Sequence, residues 1–177
     1  EALELDLTLD QAPPPKLPLT LLIAVPRPKV LNRLVAAAAS LGAARLVLLN
    51  AWKVEKAYWA SPRMKPENLR EQLILGLEQA KDTMLPELRL ARLFRPFVED
   101  ELPGLLAGGT GLLAHPGAGA AVPKVLVTPV TLAIGPEGGW VEAEIQSLLK
   151  AGLHPLDLGP RILRTETALA ALVGKLF

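Results

Sequence analysis

The order of patterns in this chain predicts an α/β domain built on a parallel sheet. Short apolar runs of strand length alternate with amphipathic runs of helical spacing, which is how a parallel sheet with helices on its faces is written in sequence. Three of the strand runs share one ending, passing into loops that carry glycine and proline. The 177 residues are enough to bury one core.

"EALELDLTLD" (residues 1–10) alternates apolar and charged residues, the pattern of a half-exposed strand. "QAPPPKLP" follows with four prolines in eight residues, a stiff linker or boundary. A strand that leads straight into a linker reads as the tail of another domain. Residues 1–18 are therefore expected to be the remnant of an amino-terminal domain, and 19–177 the main domain.

"LTLLIAVP" predicts a buried strand, and Pro28 to Leu41 a helix that stops at Gly42 in a left-handed cap. "ARLVLLN" predicts the second strand. Pro66 to Leu85 reads as a long helix with Leu69, Leu73, Leu77, Ala80 and Met84 on its apolar face. "LRLARLF", "TGLLAHP" and "VTLAIGP" give the third, fourth and fifth strands. Val141, Ile145, Leu148 and Leu149 recur at helical spacing and predict a helix over Val141 to Ala151. "HPLDLGP" is the last strand and Thr165 to Leu176 the last helix.

Composition removes several function classes. Half the residues are apolar, yet no uninterrupted apolar run is long enough for a membrane span. No basic start followed by an apolar segment marks an export signal, so a cytoplasmic location is expected. The absence of Cys excludes disulfides, thiolate metal sites and thiol nucleophiles, and suits a reducing compartment. The two His are far apart, so no metal site is expected. With 19 Lys and Arg against 18 Asp and Glu, binding to nucleic acid has to come from local basic clustering.

The three similar endings are "LLAHPG", "LAIGPEGG" and "LDLGPR". Glycine lets a ligand approach the main chain, and proline fixes the path while leaving carbonyls free. In open parallel sheets ligands sit outside the carboxyl ends of strands. Such a rim suits a flat heteroaromatic ligand read by backbone hydrogen bonds, although ordinary strand-to-helix turns also look like this. The usual phosphate-cradling signatures fail. There is no Walker A lysine loop, "HPGAGAA" lacks the third glycine of a dinucleotide turn, and no Gly-x-Ser-x-Gly elbow occurs. "LGPRILRTETALAAL" then sets Arg161, Arg164, Thr165, Glu166 and Thr167 between a strand and an Ala-rich helix. A helix cap at Thr165 or Thr167 and a dipole-complementing Glu166 account for part of this, but not for two arginines beside a Gly-Pro turn.

"IGPEGG" followed by "LGPRILRTETA" resembles the RsmE family of ribosomal RNA methyltransferases, in the SPOUT superfamily. The resemblance extends over "PRPK", "VEKAYW", "REQLILGLEQA" and "LLAHPG". It implies a domain whose C-terminal segment threads a deep trefoil knot, a homodimer, and methylation of N3 of a uridine in 16S rRNA of the small ribosomal subunit. It also implies an S-adenosylmethionine pocket, carried here by Ala114, His115 and Pro116, by Ile134, Gly135, Pro136, Glu137, Gly138 and Gly139, and by Leu158, Gly159, Ile162, Leu163, Thr165, Thr167 and Ala168. Gly138 is expected to leave space that the ligand or main chain needs. Two departures stand out. Only the last strand of the family's PUA-like amino-terminal domain is expected here, and the turn before the first helix reads "PRPKVLNR".

Uracil N3 carries a proton, so its methylation needs a base or a site that favours the anion. Arg164 is the candidate for charge on the uracil oxygens. Glu166 is the first candidate to take the proton or orient the base and Glu137 the second; an ion pair across a dimer is the plain alternative for Glu166. Because N3 lies on the pairing edge, the target must be unpaired or flipped. "NAWKVEKAYWASPRMK" interleaves Trp52, Tyr58 and Trp59 with Lys53, Lys56, Arg63 and Lys65, a mixture suited to bases and phosphates and equally to a packed rim. Arg27, Lys29 and Arg161 complete the expected RNA contacts. The last helix, rich in small residues and apolar on more than one face, suits burial against a second subunit. A ribose or another base as acceptor, or a noncatalytic RNA-binding module, remains the competing reading.

Overall fold

The computed structural model describes residues 3–6, 8, 10–119, 121–123 and 129–177. Its centre is a six-stranded sheet: β1 (Leu17–Ala24), β2 (Ala43–Leu49), β3 (Glu87–Ala91), β4 (Thr110–Ala114), β5 (Val130–Ile134) and β6 (Leu153–Leu156). The order is β3-β2-β1-β5-β4-β6 and every pairing is parallel. Both faces must be covered in such a sheet, and the central strands are accordingly almost wholly apolar. Leu21, Leu22 and Ala24 of β1, Leu46 to Leu49 of β2, and Leu132 and Ala133 of β5 are fully buried.

The crossovers from β1 to β2 and from β2 to β3 run one way across the sheet; those from β3 to β4 and from β5 to β6 run the other way. Right-handed connections therefore put their helices on opposite faces. Helix α1 (Pro28–Ser40) packs on α3 (Pro66–Ala80) and on α7 (Thr165–Leu176), while α5 (Leu102–Leu106) packs on β5 and α6 (Glu142–Lys150) on β6. The α1–α3 contact is close because Gly76 faces Ala36: a Cβ on Gly76 would stand 2.1 Å from the Ala36 carbonyl oxygen. Proline opens both helices at the position where a missing N–H costs nothing.

Several expectations need correction. The described residues among 3–10 form no strand, and Leu3 and Leu5 are exposed; alternation without a neighbouring strand to pair with does not make one. Helix α3 stops at Ala80 rather than Leu85. Lys81 turns left-handed (φ 53°), and Asp82 takes over the exit by accepting the Met84 N–H at 2.8 Å and the Lys16 ammonium at 2.6 Å. Met84 is consequently exposed. Strand β3 ends at Ala91, and the chain then enters a helical run from Phe94 to Leu106 with a widened π-type turn over Phe97–Glu101. Pro103 cannot donate to Glu99, which is the kind of defect a widened turn absorbs. Two short helical turns, α2 (Lys56–Trp59) and Pro62–Met64, lie between β2 and α3. The isolated turn α4 (Phe94–Pro96) opens the helical run after β3. Edge strand β6 includes Pro155.

Candidate active site

The loops after β1 and β5 leave adjacent strands toward opposite faces of the sheet, and this divergence opens a crevice at their carboxyl ends. A cavity of about 760 Å³ occupies it. That is ample for a small organic cofactor. Its walls are the three loops singled out above: Ala114–Pro116 after β4, Ile134–Trp140 after β5, and Leu156–Glu166 after β6, closed below by Ala168 and Leu172 of α7 and by Arg27, Val30 and Arg33 at the start of α1.

All the residues assigned to the cofactor from sequence line this cavity except Thr167. The reason is helical phase. Thr165, Ala168 and Leu172 share one face of α7, and Thr167 points to the far side, where it is exposed. Neither threonine caps the helix; Arg164 is the N-cap residue, and its carbonyl accepts the Ala168 N–H at 2.8 Å.

Two carboxylates tie the walls together. Glu137 Oε1 accepts the main-chain N–H of Arg27 at 3.0 Å, bridging the crevice between the β1 and β5 loops. Asp157 accepts the Gly159 N–H at 2.9 Å and the Gly119 N–H at 2.9 Å, one on each oxygen, joining the β6 loop to the β4 loop. These two backbone donors hold its carboxyl below the ordinary aspartate value. Gly159 has φ +103°, a conformation that side-chain-bearing residues rarely adopt. Glu166 pairs with Arg33 of α1 at 3.3 Å, within one chain, rather than requiring a partner subunit.

Arg161 and Arg164 are exposed on the cavity rim and make no ion pair among the described residues. The main-chain N–H groups of Ile162 and Leu163 likewise have no partner among the described residues, and Ile162 is 85% exposed. Apolar walls with unspent backbone donors beside them fit an adenosine, whose ring needs flat apolar contact and edge hydrogen bonds. The residues present thus fit S-adenosylmethionine.

The expected RNA contacts separate. Arg27 and Arg161 line the cavity. Lys29 is exposed on the first turn of α1 and is not among the residues that line this cavity. Arg63 is occupied by the Pro28 carbonyl at 2.7 Å, and the Lys53 ammonium by the Gly138 carbonyl at 2.6 Å. Lys56 faces a second groove. A Cβ on Gly138 would meet Lys53 Cδ at 2.9 Å, so this glycine makes room for the lysine. Sequence reasoning missed Arg33 and Asp157. Asp157, two residues before Gly159, carries the signal of an aspartate that closes its own turn; Arg33 lies one helical turn beyond Val30.

Among the described residues no helix is long and apolar enough to cross a membrane, and no three acidic or His residues cluster to hold a metal. The family model of the RNA methyltransferase domain matches residues 13–176. Ribosomal RNA small subunit methyltransferase E of Treponema pallidum is 33% identical over 162 residues, which is 87% of this chain and 59% of that protein. The Synechocystis protein of the same name is 32% identical over 86% of this chain and 50% of its own length. The chain therefore spans little more than half the length of these relatives. A methyltransferase structure from Legionella pneumophila with bound SAM superposes with a TM-score of 0.69 at 29% identity, over 89% of this chain and 64% of that one. The RsmE structure from Neisseria gonorrhoeae, at 23% identity, shares the fold with a TM-score of 0.74 over 94% and 67% of the two chains. With the family model matching residues 13–176 and the Treponema relative 33% identical over 87% of the chain, the chain belongs to the RNA methyltransferase domain family, of the RsmE kind.

Proposed function

We propose that this chain carries S-adenosylmethionine-dependent methylation of a uridine N3 in the 16S rRNA of the small ribosomal subunit. The observation that carries this reading is the cavity rim, where Arg164, without an ion pair among the described residues, stands beside Glu166 above a pocket suited to adenosine. The cofactor, when bound, supplies a methyl group already activated on a sulfonium. The protein has to hold the acceptor in line and deal with one proton.

Glu166 takes the N3 proton. Its carboxylate is oriented by Arg33, and its side chain is 27% exposed, open enough to be reached by a base at the rim. Arg164 stabilises the charge that spreads onto the uracil oxygens as N3 is deprotonated. Glu137 is committed through one oxygen to the Arg27 N–H, so it serves chiefly to hold the crevice closed. Arg27 and Arg161 flank the opening, where they suit the phosphates of a flipped nucleotide.

The same reading includes a homodimer through α7, whose exposed small residues Ala170 and Gly174 permit close approach, and work in the cytoplasm, where ribosomal subunits are modified. It includes a C-terminal trefoil knot as well. The bonds from Asp157 to Gly119 and the bridge to Ala121 bring together two segments that such threading passes close to one another.

Incubation with S-adenosylmethionine and small subunits lacking the modification, followed by nucleoside mass spectrometry, is the test. The expected product is 3-methyluridine. A ribose-methylated nucleoside, or another methylated base, would replace the N3 assignment.

A further inference from the structure

We infer that the groove at the carboxyl ends of β2 and β3 is a second nucleotide subsite, which stacks a base of the same RNA strand beside the target uridine and holds its phosphate. The inference rests on the methyltransferase reading above and adds a surface which that reading does not need.

The groove has a volume of about 960 Å³ and lies between Asn50–Trp59, Arg92–Glu99 and the first turns of α6. Its floor is rigid. Trp59 donates its indole N–H to Asn50 at 2.8 Å, and the Glu144 carboxylate, itself buried, accepts the N–H groups of Trp52 at 2.7 Å and Val141 at 3.0 Å. Trp52, whose main chain is pinned in this way, is 83% exposed. An indole held in water on a fixed backbone is a stacking platform awaiting a flat partner.

The cations are arranged to match. Arg92 lies over the Trp59 ring, its Cζ 5.0 Å from the centroid, and makes no ion pair among the described residues; neither does Lys56. Stacking on an aromatic face fixes a guanidinium plane while leaving its N–H edges for a phosphate. Arg95 pairs with Glu99 at 2.7 Å, and Lys56 and Arg92 outnumber the remaining carboxylate, Glu144, so the net charge of the groove lining is positive.

The groove adjoins the cofactor cavity. Phe94 lines the one and Trp140 the other, and their rings stand 6.2 Å apart at 50°. The bond from Lys53 to the Gly138 carbonyl completes the partition. Two adjoining depressions on one sheet edge, one with Arg161 and Arg164 on its rim and one with an open indole and the cations Lys56 and Arg92, suit consecutive nucleotides of a single strand.

The test uses fluorescence polarisation of a labelled five-nucleotide oligouridylate on the whole 177-residue chain, with S-adenosylmethionine affinity measured by calorimetry on the same samples. Trp52→Ala should weaken oligonucleotide binding about tenfold, with Trp52→Phe restoring most of it. Arg92→Ala should weaken it and also flatten the dependence of log affinity on log salt by about 0.7, the value for one lost phosphate contact on a single strand. Cofactor affinity should stay at the wild-type value in all three. No oligonucleotide binding by the wild-type chain, or wild-type affinity and salt slope in both Trp52→Ala and Arg92→Ala, overturns the subsite; intact cofactor binding in that case leaves the methyltransferase reading standing. Wild-type oligonucleotide binding that responds to these variants, in a chain with no cofactor affinity, upholds the subsite and removes the methyltransferase reading.

Discussion

Gly76→Ala sets two known effects against each other, and the structure decides between them. Alanine is the better helix former by about 0.8–1.0 kcal/mol in a helix interior. Gly76, however, faces α1, and the new Cβ would lie 2.1 Å from the Ala36 carbonyl oxygen and 2.9 Å from the Ala39 Cβ. These are backbone and short side-chain atoms with no torsion to turn away. The helices must separate locally by about 1 Å, in a core packed as densely as an organic crystal. Overpacking of this kind typically costs about 1–3 kcal/mol and sometimes more, and this contact belongs at the upper end. The net expectation is a loss of about 2 kcal/mol, or a fall in melting temperature of about 4–8 °C for a domain of this size. The displacement also reaches the site, because α1 begins beside the Arg27 N–H that holds Glu137 at 3.0 Å and carries the Arg33 that holds Glu166 at 3.3 Å. Urea and thermal unfolding of the two proteins measure the first effect, and cofactor calorimetry the second. A melting temperature equal to or above wild type would mean that the helix pair yields freely, and the packing argument would be refuted.

Arg164→Ala should lower the single-turnover methylation rate about 10²- to 10³-fold while cofactor affinity changes little, since its role is exercised only as charge develops on the acceptor; equal losses in both would make it part of the cofactor site. Asp157 has a folded-state pKa below its ordinary value, so its clasp on Gly119 and Gly159 is complete above the ordinary aspartate value of 3.8 and is lost as pH falls through the lower folded value. Cofactor affinity should therefore drop on the acid side in calorimetry, and Asp157→Asn, which cannot offer two anionic oxygens, should show weakened affinity already at neutral pH; wild-type affinity in that variant would show the clasp to be dispensable. Gly138→Ala should cost only about 0.5–1 kcal/mol, by pushing Lys53 off the Gly138 carbonyl, and should cost nothing further in a Lys53→Ala background. An undiminished cost in the double variant would show that the added methyl meets something other than Lys53.

Much of the fold was legible because parallel strands buried on both faces are written as short unbroken apolar runs, as in Leu21–Val25 and Leu46–Leu49. The three strand-end loops were legible for a chemical reason, since glycine and proline there do a job that few other residues can. The segment from Phe94 to Leu106 was not. Pro96 and Pro103 interrupt it, and its apolar residues keep no single period across a widened turn. The exit of α3 is hidden in the sequence because Met84 and Leu85 continue the apolar rhythm, while the competing device, a buried aspartate pairing with Lys16 from before β1, is a tertiary contact. In the site, local motifs pointed to Arg161, Arg164 and Glu166. Arg33 and Arg92 come from elements distant in sequence, and only the folded sheet brings one to the cavity and the other to the neighbouring groove.

The borders of the sheet bear on how molecules of this protein meet. At one margin the β6 strand offers Pro155 in place of a donor, so a foreign strand finds a gap in the ladder it would need to extend. At the other, β3 carries Glu87 and Arg89, engaged with Arg45 at 2.7 Å and with Glu101 at 2.8 Å, and a newcomer would have to displace those charges. Neither margin invites templated growth into fibrils. The proposed pairing through α7 is the kind of contact this leaves, a helical face meeting its own copy in a closed pair.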